Sequence, residues 1–193
     1  MGYNTDFSGA FALTPALNEK QVAYLKAFSE SRRMKRDAHK CSHISDPLRE
    51  AVGLPVGIDG EFCVFSAADG NLGQNKDSSI LDYNHPANTQ PYYSLWCKWE
   101  PSQDGTKIQW DGAEKFYEYT EWIKYINENF LKRWGITING EVKWRGEDFD
   151  DVGIIYAQNG HIFTSDENDL QLEQGNVFEG EFEEVKDVPR IGK

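Results

Sequence analysis

The feature that most constrains this chain is an apolar stripe near its middle. Phe116, Tyr119, Ile123, Ile126 and Phe130 recur at alternating spacings of three and four, which puts them on one face of an α-helix. Trp122, Leu131 and Trp134 widen that face. Asp111 stands where an N-cap belongs, Glu114 completes a capping box, and Gly135 follows as a C-terminal stop. The pattern predicts a helix from Asp111 to Trp134, with a face that a sheet or second helix must cover.

The flanking segments supply both. Thr5 to Leu13 alternates, with Phe7, Gly9, Phe11 and Leu13 on one parity, and Pro15 ends it. Asn18 and Gln21 form a second capping box, with Leu17 and Val22 at the staple positions. The helix they open carries Val22, Leu25 and Phe28 on one face and is expected to run to about Arg36. Tyr93–Glu100 and Lys107–Trp110 read as a hairpin across Gln103-Asp104-Gly105. Thr137–Arg145, Val152–Gln158 and His161–Thr164 read as further strands, the last two joined by an Asn159-Gly160 turn. The first six of these elements follow the split βαβ order of the ferredoxin-like fold. The expectation is an α+β domain spanning residues 1–164, an antiparallel sheet with two main helices on one face.

Residues 37–90 form a loop-rich insertion. Asp46-Pro47 predicts a short helix to Val52, and Asp59-Gly60 a turn before the apolar run Phe62–Phe65. Gly70, Asn71, Gly73, Asn75, Asn84, Pro86 and Pro91 follow, a composition of turns; a loop this long is usually functional or mobile. Residues 165–193 are an acidic extension with nine carboxylates and three cations. Val177, Phe178, Phe182 and Val185 alternate among those acids, so the extension is expected to dock on the domain, a second copy or a partner.

A formal net charge of −12 repels phosphate backbones and excludes ordinary DNA or RNA binding, while favouring a basic partner. No stretch approaches the roughly 18 apolar residues a membrane span needs. Met1 to Asp6 lacks the basic and apolar regions of a signal peptide, and Asp6 breaks the myristoylation pattern. Cys41, Cys63 and Cys97 include no C-x-x-C pair and suit a reducing compartment, so a cytoplasmic location is expected.

Arg32, Arg33, Lys35, Arg36 and Lys40, with His39, form a basic cluster able to hold a phosphate by paired guanidinium bonds; cations that complement a helix C-terminus read equally from it. His39, Cys41 and His43 would point the same way in an extended segment, a weak metal set, with Cys63 or His85 as fourth ligand. No recognised zinc spacing is present, and no cofactor is expected. Glu147, Asp148, Asp150 and Asp151 fail the EF-hand pattern, because Val152 falls on a ligand position, and read as a solvated turn. His43-x-Ser45 matches half of a two-histidine phosphodiesterase motif, but His161 to Thr164 is one residue too long for the other half. G-x-S-x-G, P-loop and G-x-G-x-x-G patterns are all missing.

Tyr83, Asn84, His85, Tyr92, Tyr93, Trp96, Trp99 and Trp110 concentrate rings around the loop region and the hairpin. Such rings stack a nucleobase whose edges Asn84 and Asp82 read, or they form a hairpin face packed on the long helix. The candidate ligand-binding set is therefore Arg32, Arg33, Arg36, Tyr83, Asn84, Trp96 and Trp99.

Several landmarks resemble those of a group of uncharacterised proteins from bacteriophages and bacteria. They are Gly2-Tyr3 with Asp6-Phe7-x-Gly9-x-Phe11, Arg32 to Asp37, Leu54-Pro55-Val56-Gly57, Leu81-Asp82-Tyr83-Asn84, Trp96-Cys97-x-Trp99, Glu114 to Tyr117, and Asn139-Gly140-Glu141-Val142. The resemblance covers residues 1 to about 158 and brings no activity or site. It implies a context, a small accessory protein of a phage or prophage acting in the host cytoplasm. The function expected from all this is non-catalytic: binding a host or phage protein, or capturing a small nucleotide-like ligand. The alternatives are a metal-dependent enzyme acting on a nucleotide or phosphate substrate through Glu147, Asp148 and Asp150, and an acidic DNA mimic.

Overall fold

A computed structural model describes residues 2–166. The central strand β1 (Thr5–Thr14) pairs antiparallel with β6 (Thr137–Gly146) along its whole length, Thr5 opposite Gly146 and Thr14 opposite Thr137. On its other side lies β5 (Lys107–Trp110), itself paired with β4 (Trp99–Pro101). The Gly135-to-Asp166 segment adds β7 (Val152–Gln158) and β8 (His161–Asp166) beyond β6. The sheet order is β4-β5-β1-β6-β7-β8, with every neighbouring pair antiparallel. The β1–β6 pair is pressed close at Gly9, whose φ is +101° and where a Cβ would lie 2.6 Å from the Glu141 carbonyl oxygen.

Phe11, Leu13, Ile138, Val142, Trp144, Ile155 and Ala157 alternate onto one face of the sheet and are buried there. Helix α1 (Glu19–Ser29) covers part of that face with Tyr24, Leu25 and Phe28. Its capping box forms as expected: Gln21 N–H donates to Asn18 Oδ1 at 3.0 Å and Asn18 N–H to Gln21 Oε1 at 2.9 Å. The helix stops at Ser29, well short of Arg36. Ser31 Oγ turns back onto the Ala27 carbonyl at 2.9 Å, which satisfies an orphan acceptor of the last turn. The next backbone donors are taken by loops, Arg32 N–H by Leu72 O, Arg33 N–H by Leu95 O and Lys35 N–H by His85 O.

The second helix also starts late. Asp111 accepts the Ala113 N–H at 2.8 Å, but in a tight turn, and Gly112, Lys115 and Glu118 all take positive φ before α4 (Tyr119–Ile126) begins. Phe116 reaches the core from this loop, fully buried against Phe7 and Trp99. Its place in the core was legible; its setting in a loop, where a helix was expected, was not. After Ile126 the helix widens into a π-turn over Asn127–Leu131 and a 3₁₀ turn over Lys132–Trp134, and Gly135 ends it in the left-handed region at φ 69°.

The 37–90 insertion is ordered by short elements. A ribbon pairs β2 (Lys35–Arg36) with β3 (Ile80–Asp82); α2 (Ala38–Cys41) is capped by Asp37 and α3 (Pro47–Ala51) by Asp46. The expected strand character of Tyr93–Lys98 is absent, since β4 begins only at Trp99. The acidic extension lies outside the described residues from position 167 onward.

Candidate functional site

The basic cluster divides between interior and surface. Arg33, 4% exposed, donates to Ser31 Oγ at 3.0 Å and to the Glu61 and Cys63 carbonyls at 2.8 and 2.9 Å, and lies over the Phe28 ring. Burial lowers its pKa from the ordinary guanidinium value. Arg36, 3% exposed, pairs with Asp77 at 2.7 Å, donates to Ser79 Oγ and covers Phe65. These two guanidiniums staple the insertion together. Trp99 is 1% exposed, and its indole N–H donates to the Tyr119 carbonyl at 2.7 Å, so both faces of its ring serve the core.

Arg32, Tyr83, Asn84 and Trp96 sit at the surface or half-buried. Arg32 lies over the Tyr83 ring, 4.5 Å from its centroid and 6.0 Å from that of Trp96, while Lys76 approaches the Tyr83 ring at 5.3 Å. Trp96 and Leu72 line a pocket of about 230 Å³ whose walls carry Glu30, Lys98, Glu100 and Asp111. Burial there raises the Asp111 carboxyl and lowers the Lys98 ammonium.

Asn84 is exposed, and its N–H donates to Asp82 Oδ1. Together with the His85 ring, 2.8 Å from Asp82 Oδ2, this holds Asp82 below the usual carboxylate range. The Tyr92 ring stacks on His85 with centroids 5.5 Å apart, and Tyr93 meets Tyr92 edge-on at 5.1 Å. Tyr92 and Tyr93 are nevertheless 55% and 79% exposed.

These two tyrosines stand on one wall of a groove of about 440 Å³. Helix α4, the turn before it and the π-turn after it form the other wall with Glu118, Glu121, Lys124 and Glu128. Lys124 is engaged by Glu121 at 2.9 Å. The floor is Tyr125, whose hydroxyl donates to the buried carboxylate of Glu61; Thr89, from the tyrosine wall, donates to the same oxygen. Burial, then the Glu61 charge, pushes the Tyr125 phenol well above its ordinary value. The floor is therefore a fixed neutral hydroxyl, and the charge at the rim is negative.

The weak metal candidates His39, Cys41 and His43 are not brought together as ligands. Residues 38–41 are helical rather than extended, which buries Cys41 while the His39 and His43 rings meet at the surface, tilted by 55° with centroids 4.7 Å apart. Among the described residues, no three His, Cys, Asp or Glu side chains are grouped to hold a metal ion. Cys41 instead meets buried Cys63, and the hydrogen bond between the two free thiols lowers the pKa of Cys41 and, with burial, raises that of Cys63. Glu147 and Asp151 hold the chain's beginning, accepting the Asn4 N–H at 2.8 Å and the Tyr3 hydroxyl at 2.7 Å.

Tyr92 and Tyr93 were visible in the sequence among the clustered rings. Glu61, Thr89 and Tyr125 were not, because they meet only through the tertiary fold. Glu121 and Glu128, seven residues apart on one helix, carried a face signal that helical spacing could have found. Among the described residues no helix is long and apolar enough to cross a membrane. No protein-family model, no curated protein and no solved structure matches the chain.

Proposed function

We propose that this chain is a binding protein without catalysis, and that its groove captures a partner protein through a Lys- or Arg-bearing segment. The observation that carries the reading is the pair Tyr92 and Tyr93, held in fixed mutual geometry yet largely exposed, in one groove with Glu118, Glu121 and Glu128. Exposed aromatic rings mark interfaces, and rings beside carboxylates favour a cation. The −12 net charge draws such a partner in. The landmark resemblance adds a setting, a phage or prophage accessory protein meeting a host or phage partner in the cytoplasm. The order β4-β5-β1-β6 supports reading these strands with α1 and α4 as a split βαβ core, to which β7 and β8 add an edge.

The test is titration of a set of basic, neutral and acidic peptides, read by the ring resonances of Tyr92 and Tyr93. Basic peptides should bind, lose affinity about tenfold in Tyr93→Ala and Glu121→Lys, and weaken as salt rises. Binding that ignores peptide charge, or that survives both substitutions, sinks the reading.

A second reading rests on Trp96, half-buried over its own pocket with Arg32 nearby. The pocket's carboxylates disfavour phosphate, so the ligand would be an uncharged base or nucleoside stacked on the indole. Nucleoside titration with Trp96→Ala as control decides it; equal quenching of both proteins would end it.

A further inference from the structure

Glu61 is a buried carboxylate that no ion pair reaches among the described residues. Burying a charge without a counterion is costly unless hydrogen bonds meet it, and here three donors do. Ile58 N–H donates to Oε1 at 3.3 Å, and the Thr89 and Tyr125 hydroxyls both donate to Oε2. Gly57 leaves the side chain its room, since a Cβ there would lie 2.6 Å from Glu61 Cγ.

The two hydroxyls belong to different parts of the tyrosine groove. Tyr125 is its floor, on α4, and Thr89 begins the segment that carries Tyr92 and Tyr93. The Glu61 carbonyl holds the same segment again through Gln90 Nε2 at 3.0 Å, and the Gln90 side chain also meets the Tyr125 hydroxyl. Tyr92 and Tyr93 then occupy a turn closed by Ser94 N–H on the Pro91 carbonyl at 3.3 Å. Beyond the turn, the Leu95 carbonyl accepts Arg33 N–H, and the Arg33 guanidinium returns to the Glu61 carbonyl at 2.8 Å. Both ends of the tyrosine turn therefore lead back to one residue. Thr89 is exposed, so its bond is the link in this network that a change at the surface can cut.

We infer that Glu61 is the positioning residue of the groove, and that the Thr89 hydroxyl bound to it is the latch that holds Tyr92 and Tyr93 ready for a ligand. Glu61 acts by ordering the turn before binding, so that less freedom is lost when a partner arrives. The inference rests on the reading of the groove as the partner site.

The test compares the native chain with Thr89→Val, which keeps the shape of the side chain and removes the hydroxyl, and with Thr89→Ser, which restores it. Glu61→Gln sets an amide N–H against the donors and should behave as Thr89→Val. Basic-peptide affinity should fall about tenfold in Thr89→Val and Glu61→Gln and be native-like in Thr89→Ser. In the ligand-free Thr89→Val chain the Tyr92 and Tyr93 ring resonances should shift and their mutual contact weaken. A merely structural role lowers the unfolding midpoint and leaves those rings in place while the chain is folded.

Native-like affinity in Thr89→Val overturns the inference and leaves the groove as a partner site. Weaker binding with unmoved rings also overturns it, because Thr89 then touches the ligand itself. If no basic peptide binds even the native chain, the partner reading fails, and the ligand-free rings still decide whether Glu61 places them: unmoved rings end this inference as well.

Discussion

The Tyr125 hydroxyl donates to Glu61 Oε2 at 2.7 Å, joining the floor of the tyrosine groove to a carboxylate 64 residues earlier in the chain. Glu61 is 7% exposed, no cation pairs with it among the described residues, and its charge is met by the Tyr125 and Thr89 hydroxyls and the Ile58 N–H. A buried carboxylate depends on such donors, since each one lost leaves desolvated charge behind. Tyr125→Phe should therefore destabilise the fold by about 1–3 kcal/mol in urea unfolding. A change under about 0.5 kcal/mol would mean that water replaces the hydroxyl, and that the floor is wetter than the packing shows.

Arg33 is the corresponding donor on the insertion side. Its fork spans Ser31 Oγ and two carbonyls, a geometry that an ammonium on a flexible stem does not reproduce. Arg33→Lys keeps the charge and should still lose about 2 kcal/mol or more, measured by chemical denaturation. An unperturbed Arg33→Lys protein would free the residue for the ligand role that its sequence context suggested.

These two residues show what the sequence could and could not disclose. Strand β1 followed from period-two alternation, β5 and β7 from the hairpin-turn residues beside them, and the Asn18 capping box from spacing alone, because these signals are local. The start of α4 was misplaced at Asp111 because Asp111 and Glu114 have cap chemistry, while the positive φ of Lys115 and Glu118 is a tertiary choice invisible to propensity. Arg33, Arg36 and Trp99 looked like ligand residues because Arg and Trp suit both sites and cores. Only burial separates the two uses, and burial here is set by loops between residues 58 and 96 that no pattern predicts. The groove was half legible: its tyrosines stood out, while Glu61 and Tyr125 are brought together by folding.

The β4–β5 turn makes a prediction about pH. Asp104 Oδ1 accepts the Ser102 hydroxyl at 2.7 Å, and the Thr106 N–H and hydroxyl at 3.1 and 2.8 Å, which lowers its pKa to about 2. The folded pKa lies below the unfolded value of about 3.9, so on acidification the unfolded chain binds the proton first. The Asp104 contribution is present in full above about pH 4 and is lost as pH falls toward about 2. Asp104→Asn should flatten that part of the stability–pH curve relative to the native protein. Parallel curves through this window would show that the turn bonds do not persist in solution.

Gly153 is required for a steric reason rather than a conformational one. A Cβ there would lie 2.1 Å from Cη2 and Cζ2 of Trp144, the residue opposite it on β6. The indole is held in place, since its N–H donates to Asp151 Oδ1 at 3.1 Å and its ring packs on Tyr119 at 5.7 Å. Gly153→Ala should cost about 1–3 kcal/mol through overpacking. Trp144→Phe removes the atoms that clash, at the expense of the Asp151 bond and some packing. In the double variant the two losses should fall short of their sum by about 1 kcal/mol or more, because the alanine methyl then enters space the smaller ring has vacated. Strict additivity in this cycle would show that the sheet relieves the clash by shifting β7, and that the Gly153–Trp144 contact does not fix the β6–β7 spacing.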